Sequence, residues 1–161
     1  MTDHSKPQES VQPFLKIKPP LIGLALIGIG VGIHFAFPAQ IFDEIWLQLV
    51  VGLPVAIGGL AFAMIANVAF HRADTDVTFS NPSAVIVQHG AHKYSRNPMY
   101  VGMVLIALGV MLAVNTAWGL LVLPVLILYF QYGVIRNEER YLEQWFGDEY
   151  RDYKSRVRRW L

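Results

Sequence analysis

The chain has 161 residues, of which 54% are hydrophobic and only 16% are charged, so it is more apolar and less charged than most soluble domains. Its length argues for a single domain. The absence of cysteine excludes disulfide bonds, a thiolate zinc site and a cysteine nucleophile, and the formal net charge of +1 makes the distribution of the charges the more informative property.

Four apolar stretches predict membrane-spanning helices. They contain no Asp, Glu, Lys or Arg, and they cover residues 21–37, 47–70, 99–114 and 118–135. About 20 helical residues cross a hydrocarbon core of roughly 30 Å, so the second and fourth stretches are long enough and the other two are short. A lone strand at that depth would leave backbone groups unpaired in lipid. We therefore expect an all-α integral membrane bundle of about four transmembrane helices, with the third partly inside the protein.

In the first stretch, Gly28 and Gly32 are four residues apart. This spacing lets two helix backbones approach closely in a membrane, so it predicts that both glycines pack against another helix. With Gly30 between them, the run resembles a nucleotide-binding loop. However, no strand precedes it, and we discard that interpretation.

The basic residues all fall on one side of this four-helix arrangement. Six of them precede the first stretch or separate the second from the third: Lys6, Lys16, Lys18, Arg72, Lys93 and Arg96. The other seven follow Gly133. By the positive-inside rule, both termini and residues 71–98 face the cytosol, which indicates a multi-pass protein of the inner membrane. We expect a flexible cytosolic tail at residues 1–20 and a single membrane domain over residues 21–161.

The third and fourth stretches are joined by residues 115–117 alone, which predicts an antiparallel helical hairpin. The start of one helix then lies beside the end of the other, at the cytosolic membrane surface. Polar residues from both places should face each other across a gap: Arg96, Asn97 and Tyr100 on one side, and Arg136, Glu138 and Glu139 on the other.

Asn97 and Pro98 have the pattern of an N-cap and a first-turn proline, so the third helix should begin there. Its free amides and dipole would favour an anion such as a carboxylate. Beside them, Arg96 can hold a carboxylate with two parallel hydrogen bonds.

Other side chains in the two segments suit a cationic and hydroxyl-bearing ligand. Tyr94 and Tyr100 offer ring faces to a cation, and Gly90 permits close approach of the backbone. Glu138 and Glu139 can accept hydrogen bonds from an ammonium group or a ribose diol. S-adenosylmethionine presents all of these groups. The alternative is a salt-bridge cluster at the membrane edge with Asn97 as a plain cap, formed by Arg96, Arg136, Glu138, Glu139 and Arg140. The residues alone leave both interpretations open.

Two ordered motifs resemble a known family. They are RNPMY at residues 96–100 with an upstream glycine and tyrosine, and EERYLEQWFGDEYRDYKSRVRRW at residues 138–160, after a hydrophobic hairpin. Together they resemble the isoprenylcysteine carboxyl methyltransferase family and its phospholipid methyltransferase relatives, over about the last eighty residues, with weaker likeness back to Thr78 and Pro82. The resemblance implies that this region closes over the cofactor at the membrane surface and that a lipid-like substrate enters from the bilayer.

The resemblance also implies which residues form the site. The cofactor would be S-adenosylmethionine, with contacts from Gly90, His92, Tyr94, Arg96, Asn97, Pro98, Tyr100, Glu138 and Glu139, of which Arg96 and Glu139 are the predicted catalytic residues. Asn97 stands where the eukaryotic enzymes usually have histidine, and His92 where an aromatic residue is common. Because asparagine does not titrate, a proton-accepting role for that position is not implied.

The implied partners are the lipid bilayer and a lipophilic or small-molecule methyl acceptor, whose nucleophile is a carboxylate, a thiol or an amine. A carboxylate or thiolate needs no catalytic base, whereas an amine would need one, with Glu139 or His92 as candidates. We expect no nucleic-acid partner and no metal, and the oligomeric state is not predicted. The alternative is a non-catalytic membrane accessory or assembly protein. A transporter is weaker still, since no intramembrane charge marks a path.

Beyond Gly147, Asp148 is placed to cap another helix. Its predicted aromatic stripe comprises Tyr150, Tyr153, Val157 and Trp160, and its basic stripe comprises Arg151, Lys154 and Arg158. This pattern predicts a cytosolic amphipathic helix on the anionic inner leaflet, with aromatic rings at headgroup depth. Whether it is only a basic anchor or also a cofactor lid stays open.

Overall fold

The computed structural model describes residues 18–72 and 86–161. The predicted tail, except its last three residues, lies outside these ranges, as do Thr78 and Pro82. Six α-helices follow in chain order: α1 Pro19–Ala36, α2 Ile45–Arg72, α3 Pro98–Ala113, α4 Gly119–Leu128, α5 Arg136–Phe146 and α6 Asp148–Arg156. A 3-10 turn, Gly90–Lys93, precedes α3, and a π-helical segment, Tyr129–Ile135, joins α4 to α5.

The predicted all-α membrane bundle is confirmed. Three helical stretches of the described chain are long and apolar enough to cross a membrane, namely Pro19–Ala36, Ile45–Arg72 and the continuous run Gly119–Phe146. The fourth, α3, is a shorter apolar helix of 16 residues. It packs against α1, α2 and α4, so its predicted place inside the protein is also confirmed. A central helix surrounded by neighbours needs less length because it does not meet the bilayer alone.

Glycine lets α2 and α3 pack closely. A Cβ atom added at Gly59 would lie 2.7 Å from the backbone nitrogen of Ile106, and one at Gly102 would lie 2.7 Å from the carbonyl oxygen of Gly59. Gly109 likewise faces the backbone of Ala56. Real Cβ atoms do not come so close, so this interface requires glycine, as small residues at helix interfaces in membranes commonly allow.

The prediction that Gly28 and Gly32 pack against another helix is wrong. Both are exposed, and no described residue lies within 4 Å of the position that a Cβ would take at either. Gly23 and Gly30 are the glycines of α1 that pack, against side chains that include Met103 of α3 and Val122 of α4. A spacing of four fixes a shared helix face, but it does not say which face turns toward the bundle.

The predicted hairpin of α3 and α4 is confirmed, and Asn115 organises its turn. Asn115 has a φ of 59°, a left-handed conformation that asparagine tolerates better than most residues. Its side-chain oxygen accepts from the backbone amides of Ile41 (2.9 Å) and Phe42 (2.8 Å), and its Nδ2 donates to the carbonyl of Phe42 at 2.7 Å. One amide side chain thus ties the α1–α2 connection to the α3–α4 turn.

At the opposite end of the bundle, the apolar core adjoins the two polar segments that precede α3 and form α5. Phe130, Val134 and Ile135 of the π-helical segment are buried with Tyr100 of α3. The rings of Tyr100 and Phe130 have centroids 5.0 Å apart. Because α3 begins here and the fourth transmembrane stretch passes into α5 here, the two predicted polar segments lie at the same end.

Candidate functional site

The site begins in the 3-10 turn before α3. Gly90 has a φ of 63°, which favours glycine, and a Cβ there would lie 3.6 Å from that of Ala69 in α2. The turn therefore lies against the end of α2. It buries His92, whereas the side chain of Tyr94 is 70% exposed.

Arg96 and Glu139 meet, as the hairpin predicted. The Nη2 of Arg96 lies 3.2 Å from Oε1 of Glu139, and the two side chains are 8% and 7% exposed. Arg159, which sequence reasoning did not include, binds the same carboxylate. Its Nε donates to Oε1 at 3.0 Å and its Nη2 to Oε2 at 2.6 Å. Two guanidinium groups therefore share one buried carboxylate, so the three groups together carry a net positive charge.

Two nitrogens of Arg96 take no part in this ion pair. Its Nε and Nη1 are buried, and neither has a hydrogen-bond partner among residues 18–72 and 86–161. A buried donor without a partner costs free energy, and the cost is larger for a charged group. Such donors therefore indicate a place where an anionic group from outside the described residues can bind.

The segment that carries Arg159 also contacts the backbone at the start of α3. The amide of Arg96 donates to the carbonyl of Arg158 at 2.9 Å. The carbonyl of Arg159 accepts from Oγ of Ser95 (3.2 Å) and Nδ2 of Asn97 (3.1 Å). Asn97 does precede α3 as predicted, but its side chain makes no capping hydrogen bond to the helix. It holds the chain near residue 159 instead.

Glu138 is held by a second contact across the hairpin. The hydroxyl of Tyr100 donates to its Oε1 at 2.7 Å. The ring of Tyr100 packs against Phe130, so this tyrosine presents its hydroxyl to the polar residues and not an open ring face. Pro98 is the first residue of α3, as predicted, and is buried.

His92 lies in an apolar setting. Its ring meets that of Phe70 edge to face, with centroids 5.0 Å apart, and its carbonyl accepts from the hydroxyl of Tyr153 at 2.8 Å. Burial, aided by the nearby His89, lowers the pKa of His92 to about 4, so the ring is neutral at physiological pH. Its Nδ1 is buried without a partner in the described part of the chain.

One expectation for the tail is wrong. Asp148 is the first residue of α6, and the residue before the helix is Gly147, whose φ of 56° favours glycine. The aromatic side chains of α6 are buried in the protein, because Tyr150 and Tyr153 are only 2% and 4% exposed. Tyr153 contacts the 3-10 turn through its hydrogen bond to the carbonyl of His92. Burial raises the pKa of Tyr153 to about 12 despite the opposing charge of Arg96.

The basic stripe of the tail is exposed, as predicted. Arg151 pairs with Asp148 at 2.6 Å, and Lys154 pairs with Glu143 at 3.0 Å. Beyond α6, the indole Nε1 of Trp160 donates to Oε1 of Gln131 at 2.8 Å. Gln131 could have been noticed as a polar residue in an apolar stretch, whereas nothing in the sequence distinguished Arg159 from Arg158.

Comparison with known proteins is consistent with this geometry. Residues 47–149 match the family described as phospholipid methyltransferase. An uncharacterised protein of Haemophilus influenzae is 47% identical over 66 residues, which cover 39% of this chain and 100% of that protein.

Two yeast proteins named protein-S-isoprenylcysteine O-methyltransferase are also similar. The Schizosaccharomyces pombe protein is 32% identical over 77 residues, which cover 48% of this chain and 33% of the relative. The Saccharomyces cerevisiae protein is 34% identical over 73 residues, which cover 45% of this chain and 30% of that relative. The matched region thus spans about a third of the length of these relatives. On the family match, the chain belongs to the phospholipid methyltransferase family, a family of S-adenosylmethionine-dependent membrane methyltransferases.

Proposed function

We propose that this protein transfers a methyl group from S-adenosylmethionine to a lipid-like or small membrane-accessible acceptor that offers a carboxylate, a thiol or an amine. Residues 21–161 would form the single methyltransferase domain. The observation that carries the proposal is the buried guanidinium of Arg96, whose Nε and Nη1 have no partner in the described ranges. Family membership adds the class of reaction.

The residues present fit the cofactor. Arg96 would donate to its amino-acid carboxylate from Nε or Nη1, which lie on different edges of the guanidinium and therefore each offer a charge-assisted hydrogen bond and not a two-pronged pair. Glu138, whose Oε1 already accepts from Tyr100, has its second oxygen for the ammonium group or a ribose hydroxyl. Gly90, Tyr94, Asn97 and Pro98 would complete the site. When bound, S-adenosylmethionine supplies a methyl group on a positively charged sulfur.

The chain itself contributes alignment and the exclusion of water. Glu139 has both oxygens occupied by arginine, so it fixes the guanidinium of Arg96 and is poorly placed to take a proton. Burial lowers the pKa of His92 to about 4, so its ring is a weak base and is also poorly suited to take a proton if the nucleophile is an amine. A carboxylate or thiolate acceptor needs only to be held in line with the methyl group.

We place this chemistry at the cytosolic face, because the basic residues gather at the end of the bundle that carries the site. Fusions at the C-terminus test the placement. A reporter that is active only in the cytosol should be active there, and one that needs export should be silent. The opposite pattern would invert the orientation.

Calorimetry on the detergent-purified protein tests the function. We expect wild type to bind S-adenosylmethionine and Arg96→Ala to lose at least about thirtyfold in affinity. The fold should survive in this variant, because Glu139 keeps its pairing with Arg159. Arg140→Ala, which removes an exposed arginine from the same helix as Glu139, is the matched control and should bind normally. Absence of binding by wild type would favour the non-catalytic accessory protein.

Transfer of a labelled methyl group to membrane extracts then identifies the acceptor. A labelled lipid, peptide or small thiol would each support the proposal and name the substrate class. If wild type transfers no more label than Arg96→Ala, the protein is not acting as a methyltransferase on these extracts and the proposal is rejected.

A further inference from the structure

We propose that Arg159 is a positioning residue of the cofactor site, and that it keeps the donors of Arg96 free by occupying the carboxylate that Arg96 would otherwise take. This inference rests on the proposed function. It assigns a role to the segment 157–160, which follows α6, and it makes that segment a working part of the site and not only a basic anchor.

The two arginines make unequal contacts with the carboxylate of Glu139. Arg159 binds both carboxylate oxygens, through Nε at 3.0 Å and Nη2 at 2.6 Å. Arg96 reaches only Oε1, with Nη2 at 3.2 Å. A guanidinium next to a free carboxylate prefers the two-pronged pairing. Arg159 denies Arg96 that pairing, which would use Nη2 together with Nε or Nη1, so both of these unpartnered nitrogens remain available to a ligand.

Backbone contacts fix Arg159 where this competition requires it. The carbonyl of Arg159 accepts from Ser95 and Asn97, the two residues that flank Arg96. One residue further on, the indole of Trp160 donates to Gln131 in the π-helical segment at 2.8 Å. The segment 157–160 is therefore tied to both halves of the hairpin, with the side chain of Arg159 between them.

The charge balance leads to the same conclusion. With Arg159 present, two guanidinium groups face the single carboxylate of Glu139, and the excess of positive charge beside the buried Arg96 favours an anionic ligand group. Without Arg159, Arg96 and Glu139 would form a neutral, self-satisfied pair. The affinity for a ligand carboxylate should then fall, while contacts to the rest of the ligand remain.

Two ligands that differ by this one group test the inference. Binding of S-adenosylmethionine and of its decarboxylated form is measured by calorimetry for wild type, Arg159→Ala and the surface control Arg151→Ala. For Arg159→Ala we expect a loss of at least about tenfold for S-adenosylmethionine and less than about twofold for the decarboxylated ligand. Arg151→Ala should leave both affinities unchanged. Equal losses for both ligands would make Arg159 merely structural and would overturn the inference.

A double variant adds a second criterion. In a Glu139→Gln background, which removes the carboxylate that the arginines compete for, Arg159→Ala should cost less than about twofold further. Full additivity would contradict action through Glu139. If Arg159→Ala does not fold, Arg159→Lys takes its place. It keeps the charge but loses the two-pronged hold, and unchanged affinity for S-adenosylmethionine would then overturn the inference. Failure of wild type to bind S-adenosylmethionine rejects the proposed function itself.

Discussion

Arg159 and Glu139, twenty residues apart in the chain, face each other with two nitrogens against two oxygens, at distances of 2.6 to 3.2 Å. Glu139 is 5% exposed and also receives Arg96 from the far side of the hairpin. The carboxylate is thus the point where three parts of the chain are joined: the residues directly before α3, helix α5 and the segment 157–160.

Glu139→Gln should destabilise the protein by about 3 kcal/mol, because it leaves the buried guanidinium of Arg96 and the partly buried one of Arg159 side by side without their anion. Thermal unfolding in detergent, followed by circular dichroism, measures the loss. The matched control is Glu143→Gln on the same helix, whose ion pair with Lys154 is partly exposed and should contribute less than about 1 kcal/mol. Equal effects of the two substitutions would show that the buried cluster has no special part in stability.

Gly109→Ala should weaken the contact between α2 and α3. Its new methyl group would meet the backbone of Ala56, which cannot move aside as a flexible side chain can. Overpacking of this kind costs roughly 1–3 kcal/mol. Gly32→Ala is the control, since no described residue lies within 4 Å of the added atom, and its melting temperature should hardly change. A tolerated Gly109→Ala would mean that the two helices can separate without loss.

Asn115→Ala should cost about 3 kcal/mol, since it removes three hydrogen bonds to the α1–α2 connection and leaves alanine at a positive φ. Asn137→Ala, which loses a single long contact of 3.4 Å to Gly133, should cost far less. Because the turn lies at the end of the bundle away from Arg96, the folded variant should keep its affinity for S-adenosylmethionine. A selective loss of affinity without loss of stability would contradict this separation.

Acidification should destabilise the protein through His92. Its pKa is about 4 in the folded protein, whereas the ordinary pKa of histidine is 6.5, so below pH 6.5 the unfolded chain binds a proton that the folded chain refuses. The stability due to the neutral ring is complete above pH 6.5 and falls by up to about 3 kcal/mol as the pH drops to 4.

Melting temperatures between pH 7 and pH 4 test this dependence. His92→Gln lacks the titrating ring and should lose stability less steeply in that window. His89→Gln should keep most of the acid sensitivity, because burial is a larger cause of the shifted pKa of His92 than the charge of His89. Identical profiles for wild type and His92→Gln would exclude His92 as the source.

The sequence alone was sufficient to predict that Arg96 and Glu139 lie close together. The reason is geometric: a connection of a few residues between two apolar helices forces them to run antiparallel, so the start of α3 must lie beside the exit of the fourth stretch. The same argument predicted that Tyr100 and Glu138 would be neighbours, and their hydroxyl and carboxylate are 2.7 Å apart.

The contacts of the segment 157–160 could not be predicted from the sequence. Arg158 and Arg159 are the same residue type at adjacent positions. Only the fold directs the side chain of Arg158 to solvent and that of Arg159 to Glu139. The π-helical segment Tyr129–Ile135 was also not expected, since an apolar run looks the same in either helix type. Likewise, glycine spacing did not distinguish the packed face of α1 from its exposed face.

Because Arg159 follows helices α1 to α6 in the chain, its pairing with Glu139 forms only after all six of these helices have been synthesised. Until then Glu139 has Arg96 as its one arginine partner in this cluster. In the manner proposed, Arg96 would gain its full affinity for a carboxylate only once translation has passed residue 159.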